Sequence, residues 1–189
     1  MADILYGKVS PPAKLSVCYP NTEVDEPLCY NYKAEMDPRV QWPFGYGLSY
    51  SSFEYLNLQM DAEASTSEKS VSISFDVKNT GNVAADEIAQ LYLSPANSDI
   101  PIRPIQLQGF ARVALQPGET KTVKVKLYTE QFGYYTHDNE RLWNVAPGQY
   151  VIKVGASSQD IRLQKTLTLK GETVTKPHRE YFFSENTIL

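Results

Sequence analysis

The chain is poor in the residues that build covalent or metal-held scaffolds. Among 189 residues there are two cysteines, Cys18 and Cys29, and two histidines, His137 and His178. Two cysteines do not make a disulfide framework. Cys18 alternates with Leu15 and Val17 in a strand-like run, so a free, buried thiol is the expectation, with pairing to Cys29 open if the chain doubles back after Pro20. Neither histidine stands in a Cys/His ligand spacing, and no metal or other cofactor is expected. No apolar run approaches the about 20 residues that cross a bilayer. The first seven residues are too short and too acidic a stretch to read as a secretion signal. A net charge of −4 gives no electrostatic reason to expect nucleic acid or an anionic membrane as partner. Glycine-rich phosphate loops, dinucleotide fingerprints and Gly-x-Ser-x-Gly elbows are missing. The polar cluster Thr136 to Glu140 reads as a solvated turn rather than a metal or acid–base site. Asp86 and Glu87, adjacent in a strand, point to opposite faces and cannot converge on one substrate. No catalytic residue is expected within the chain.

What the sequence has is alternation. Residues 2–7 read as a helix end closed by Gly7, and Ala13 to Tyr19 as a short strand closed by Pro20. These two elements cannot bury themselves and must pack on something. Residues 20–41 are polar and loop-like, with Tyr30 and Tyr32 as local anchors. From Phe53 onward the period is two. Strands are expected from Phe53 to Leu58, Val71 to Val77, Ile88 to Leu93, Ile105 to Leu115 with a bulge at Gly109, Val123 to Leu127, Tyr150 to Val154 and Ile161 to Leu169. Ala62 to Lys69 reads as a flexible connection, residues 129–146 as irregular and aromatic, and 171–189 as a polar tail whose Tyr181-Phe182-Phe183 could dock back. About seven strands at regular spacing predict an all-β, immunoglobulin-like or fibronectin type III-like β-sandwich.

Two aromatic groups stand out. Trp42 to Tyr50 (Trp-Pro-Phe-Gly-Tyr-Gly-Leu-Ser-Tyr) marks the change from irregular to regular sequence, and its Phe44, Tyr46 and Tyr50 are candidates for packing where domains meet, against the simpler reading of an ordinary buried connector. Tyr134, Tyr135 and Trp143 cluster around the irregular segment and are candidates for stacking on sugar rings, against the simpler reading of core packing.

Several stretches together resemble the C-terminal end of glycoside hydrolase family 3, the β-glucosidase and β-xylosidase family. They are Asp3 to Pro11 with Lys14-Leu15, Trp42 to Tyr50, Lys78 to Gly81, Asp86 to Tyr92, Leu107 to Phe110, Leu115 to Thr120, Pro147 to Tyr150 and Val154 to Ser158. Ser10, Pro12, Ala13 and Ser16 depart from the family's pattern at the first turn. The resemblance implies a fragment: residues 1–20 as the remnant of an α/β sandwich domain, 21–52 as a linker, 53–170 as a fibronectin type III-like β-sandwich and 171–189 as a tail. It implies as partners the barrel and α/β sandwich domains of a secreted or periplasmic parent enzyme that cleaves β-glucosides or β-xylosides. The family's nucleophilic aspartate, in a Ser-Asp-Trp context, has no counterpart here, since Ser98-Asp99-Ile100 is not that motif. The implied role is structural, bracing the catalytic domains. The alternatives are a carbohydrate-binding module for β-linked oligosaccharides and a protein-interaction domain.

Overall fold

The structure is a computed structural model that describes residues 2–23, 28–31, 36–97, 99–136 and 140–189. A single helical turn, α1 (Ala2–Leu5), ends at Gly7, whose φ of 74° reverses the chain at no steric cost. The strands are β1 (Tyr19–Pro20), β2 (Val40–Trp42), β3 (Phe53–Met60), β4 (Glu63–Ser65), β5 (Ser70–Asn79), β6 (Ala85–Pro95) and β7 (Gln106–Leu115). They continue with β8 (Thr120–Tyr128), β9 (Tyr134–Tyr135), β10 (Trp143–Val145), β11 (Gly148–Gly155), β12 (Ile161–Lys170), β13 (Val174–Lys176) and β14 (Glu185–Ile188). A 3₁₀ turn at Thr129–Phe132 follows β8.

Two sheets form the body, one ordered β4-β12-β11-β6-β7 and the other β14-β8-β5-β3. The longest strands, β3, β5, β6, β7, β8, β11 and β12, are the seven expected from alternation. Their inward residues make one core between the sheets. Val71, Ile73, Phe75 and Val77 from β5 and Val123, Val125 and Leu127 from β8 meet Ala89, Leu91 and Leu93 from β6 and Tyr150, Ile152 and Val154 from β11. Each buried Val, Leu, Ile or Phe among them contributes roughly 1.5–3 kcal/mol. The fold is therefore the predicted β-sandwich, of fibronectin type III-like form. The bulge expected in β7 is present: Leu107 and Gly109 pair with the successive residues Tyr92 and Leu91, leaving Gln108 as the extra residue. Its freed carbonyl accepts from Gln131 Nε2 at 2.8 Å.

The structure corrects four expectations. Ala13 to Leu15 has no strand partner and the chain bends at Ser16–Val17, so only Tyr19–Pro20 pairs, with β2. The segment's hydrogen bonds go instead to the turn after Trp42, where Leu15 N–H donates to the Tyr46 carbonyl at 2.7 Å. The connection 62–69 contains β4, a parallel edge strand against β12. The stretch 129–146 holds the buried 3₁₀ turn and the pair β9–β10, and the tail supplies β13 to β10 and β14 to β8. These strands are too short to show a period and are set by backbone pairing.

Candidate functional site

The outer face of a sandwich strand is ordinarily polar and wet. On β6 that face carries Gln90, Tyr92 and Ser94, yet these are 3%, 0% and 4% exposed. Gln90 and Tyr92 are covered by the chain that precedes the sandwich. The Tyr30 ring lies over Phe44 with centroids 4.1 Å apart and nearly parallel, and meets Tyr92 edge-on at 6.4 Å. Leu107 N–H donates to the Tyr30 hydroxyl at 3.0 Å, tying the stack to β7. Burial pushes the Tyr30 phenol up from its ordinary range.

Gln90 is the polar pin of this contact. Its Nε2 donates to the Gly45 carbonyl at 3.1 Å and the Ala156 carbonyl at 2.7 Å, while Oε1 accepts from the Tyr92 hydroxyl at 2.5 Å. The backbone can approach so closely only because residue 45 is glycine. Its φ is 81°, and a Cβ there would lie 2.0 Å from Gln90 Oε1. Two backbone bonds complete the seat: Gly45 N–H to the Leu15 carbonyl at 2.8 Å and Ser158 N–H to the Phe44 carbonyl at 3.0 Å.

A second pin is ionic. Glu87 follows the inward phase of β6 and is 2% exposed. Its Oε1 lies 3.2 Å from Lys14 Nζ and accepts from the Tyr55 hydroxyl at 2.9 Å. Burial raises the Glu87 carboxyl above its ordinary range, with Lys14 and the Tyr55 hydroxyl opposing. Tyr55 is itself pushed well up by burial and by the neighbouring Glu87 charge. Asp86, on the opposite face, pairs with Arg112, whose Nε donates to it at 2.6 Å.

Near the N-terminus, Ser10 Oγ bonds Ser49 Oγ at 3.0 Å and accepts from Tyr50 N–H, while the Tyr50 hydroxyl donates to the Ile4 carbonyl at 2.7 Å. Phe44 and Tyr46 are half-buried and Tyr50 is 48% exposed, so none of the three is enclosed. Around them Leu5, Tyr6, Val9, Val17, Tyr19, Trp42 and Leu48 are exposed, Leu48 at 69% and Tyr6 at 83%. The inner side of the N-terminal segment is thus pinned to the sandwich, and its outer side exposes several large apolar side chains alongside Asp3 and Lys8.

The other aromatic group divides. Trp143 is buried, its Nε1 donates to the Glu130 carbonyl at 3.0 Å, and Tyr135 and Arg179 lie against its ring at 4.7 and 5.3 Å. Tyr134 is half-buried and Tyr135 exposed. Cys18 and Cys29 are free thiols. Among the described residues no group of three or more His, Cys, Asp or Glu could hold a metal, and no helix is long and apolar enough to cross a membrane. Tyr32 and His137 lie outside the described residues.

Sequence reasoning missed Lys14, Glu87, Gln90 and Tyr92 as contact residues. The available signal was a carboxylate on the inward phase of β6 and a glutamine within the otherwise apolar run Ile88 to Leu93.

Residues 87–158 match the fibronectin type III-like domain family. A β-glucosidase from Kluyveromyces marxianus is 37% identical over 198 aligned residues, covering 90% of this chain and 23% of the relative. An exo-α-(1→6)-L-arabinopyranosidase from Bifidobacterium breve is 34% identical, covering 96% of this chain and 26% of the relative. The crystal structure of the Bifidobacterium adolescentis GH3 β-glucosidase superposes with a TM-score of 0.76 at 30% identity, over 89% of this chain and 27% of that one. The chain therefore spans about a quarter of the length of the relatives it matches.

Proposed function

We propose that this chain, which belongs to the C-terminal part of the family 3 glycoside hydrolases and carries their fibronectin type III-like domain, braces the catalytic domains of a larger enzyme. The observation that carries this reading is the two-sided N-terminal segment. Its inner side is fixed on β6 by Gln90, Glu87 and Tyr92, and its outer side presents Leu5, Tyr6, Leu48, Tyr50 and Trp42 to whatever precedes it. An exposed apolar surface of this kind marks a protein contact. The partner is the body of the same enzyme: relatives that contain this stretch are about four times its length. Phe44, Tyr46 and Tyr50 then pack at the joint. In this reading residues 1–20 complete a preceding α/β domain, 21–52 form the joint, 53–170 the sandwich and 171–189 the strap.

The parent would hydrolyse O-glycosidic bonds of β-glucosides or β-xylosides through two carboxylates about 5 Å apart, supplied by its other domains. The prominent buried carboxylates here have structural partners: Glu87 holds Lys14 and Tyr55, and Glu130 holds the tail. Choice of sugar also belongs elsewhere, because the matched stretch is shared by enzymes named for different sugars. A second reading, contact with a β-linked oligosaccharide, rests on the exposed Tyr135 ring. One pair of assays separates the readings. The purified chain should leave nitrophenyl β-glucoside and β-xyloside uncleaved and should pass through insoluble glucan and xylan. Turnover at an enzyme-like rate would overturn the accessory role. Retention lost in Tyr135→Ala would establish the sugar contact instead.

A further inference from the structure

We infer that the outer edge of β8 is a strand-accepting site, filled in the monomer by the chain's own β14 and open to β14 of a second copy. The strap has two parts held in different ways. Residues 176–181 are anchored by side chains. The Tyr181 ring stacks on Tyr128 with centroids 4.1 Å apart, and Glu130 takes Lys176 together with the N–H groups of Glu180 (2.7 Å) and Tyr181 (3.0 Å). Beyond Tyr181 no large side chain is buried: Phe182 and Phe183 are 56% and 85% exposed, and all four residues of β14 are exposed.

What holds β14 is its ladder. Thr122 and Leu189 exchange backbone bonds at 3.0 and 2.9 Å, and the register runs Lys124↔Thr187 and Lys126↔Glu185. Alternation then directs the N–H groups of Thr122, Lys124 and Lys126 to β14 and those of Val123, Val125 and Leu127 to β5. Side chains add Lys126 Nζ to Glu185 at 3.4 Å, the Tyr128 hydroxyl to Glu185, and Asn186 Nδ2 to the Phe110 carbonyl at 3.1 Å. A strand secured mainly by backbone bonds, with Ile188 at 38% exposure its most covered apolar side chain, opens at lower cost than the core it borders.

An open β8 edge would invite pairing, and its lysines select the guest. Two β8 edges brought together would set Lys124 and Lys126 against like charge, whereas β14 brings Glu185 to Lys126. The strand with that charge and register, present at the same concentration as the edge, is β14 of another copy. Phe182 to Ser184, extended, reach about 10 Å, enough for two adjacent chains to trade ends while Tyr181 stays seated.

The test uses the full chain. Amide hydrogen exchange should show Thr122, Lys124 and Lys126 exchanging at least about 100-fold faster than Val123, Val125 and Leu127. Tyr128→Phe, which removes the hydroxyl on Glu185, should speed the first group about 10-fold and leave the second unchanged. In a Cys18→Ser, Cys29→Ser background, Lys124→Cys and Thr187→Cys chains are mixed and treated with a short bis-maleimide. A mixed dimer is expected, and the variant carrying both changes should close on itself as a monomer. Equal protection of the two amide groups would overturn the opening. A mixture that stays monomeric, or Lys124→Cys chains that link to one another, would overturn the trade with a second copy.

Discussion

Replacing Lys14 with methionine keeps most of the unbranched side chain and removes its charge. Glu87 is then left in a site where its side chain is 3% exposed, with the Tyr55 hydroxyl as its remaining close partner. Breaking a buried ion pair by deleting one member costs about 3–5 kcal/mol. The Lys14 side chain is 14% exposed, so water can reach the site, and the lower end, about 3 kcal/mol, is the expectation. For a chain of this size that lowers the thermal midpoint by about 6–12 °C. The loss should depend on pH in a definite sense. Burial already raises the Glu87 carboxyl, with Lys14 opposing, and without Lys14 it rises further. A carboxyl raised in the folded state favours folding below its unfolded value of about 4.3 and loses that contribution as pH rises through the folded value. The gap between wild type and Lys14→Met should therefore be small near pH 4, widen with rising pH and then level off. Adding Glu87→Gln to Lys14→Met should recover most of the loss at neutral pH, because no buried charge remains. Thermal unfolding of the four chains of this cycle, each from pH 4 to 8, is the assay. A gap independent of pH, or a double variant as unstable as the sum of the singles, would refute the reasoning.

Gln90→Leu strips partners from two carbonyls and the Tyr92 hydroxyl beneath the Trp42 to Tyr50 segment, and should cost about 2–4 kcal/mol in denaturant unfolding. Gly45→Ala should cost at least about 1–2 kcal/mol from the left-handed backbone alone and should also displace Gln90, seen as a rise in exchange at the Gly45–Tyr46 amides. The Glu130 carboxyl is buried, which would raise it, but Lys176 and the Glu180 and Tyr181 N–H groups hold it below its ordinary range. Its contribution to strap docking is present above its unfolded value and is lost as pH falls through the lower folded one. Tyr181 should therefore unstack on acidification before the sandwich unfolds, and Glu130→Gln should unstack it at neutral pH, both read by tyrosine fluorescence.

The sandwich itself was legible in the sequence. Val71-Ser72-Ile73-Ser74-Phe75 can bury one face only as a strand, and six other stretches carry the same period. What period cannot show is pairing by backbone alone. Strands β4, β9, β10, β13 and β14 are two to four residues long, and β14 buries no side chain, so no alternation marks it. The Ala13 to Tyr19 stretch has strand-type residues, but Leu15 finds its partners in a turn and only Tyr19 joins a strand pair. Residue type did not decide the fate of the second aromatic group either. Trp143 lies in an irregular stretch, and its burial comes from Tyr135, Glu130 and Arg179, which arrive from separate elements. In the segment that leads into the sandwich, Phe44, Tyr46 and Tyr50 were visible by composition as an aromatic group. Glu87 and Gln90 were not, because their partners, Lys14 and the Gly45 carbonyl, come from far along the chain.

The most direct measurement is association in trans. The remainder of the enzyme that the proposed bracing role calls for, produced separately, would be titrated with this chain while binding and glycosidase turnover are followed. The bracing role predicts saturable one-to-one binding with improved turnover or thermal stability, and binding at least about 10-fold weaker for a chain carrying Leu48→Asp, since a buried charge without a partner is costly at an apolar contact. No association, or association indifferent to Leu48→Asp and to Tyr6→Asp, would contradict it.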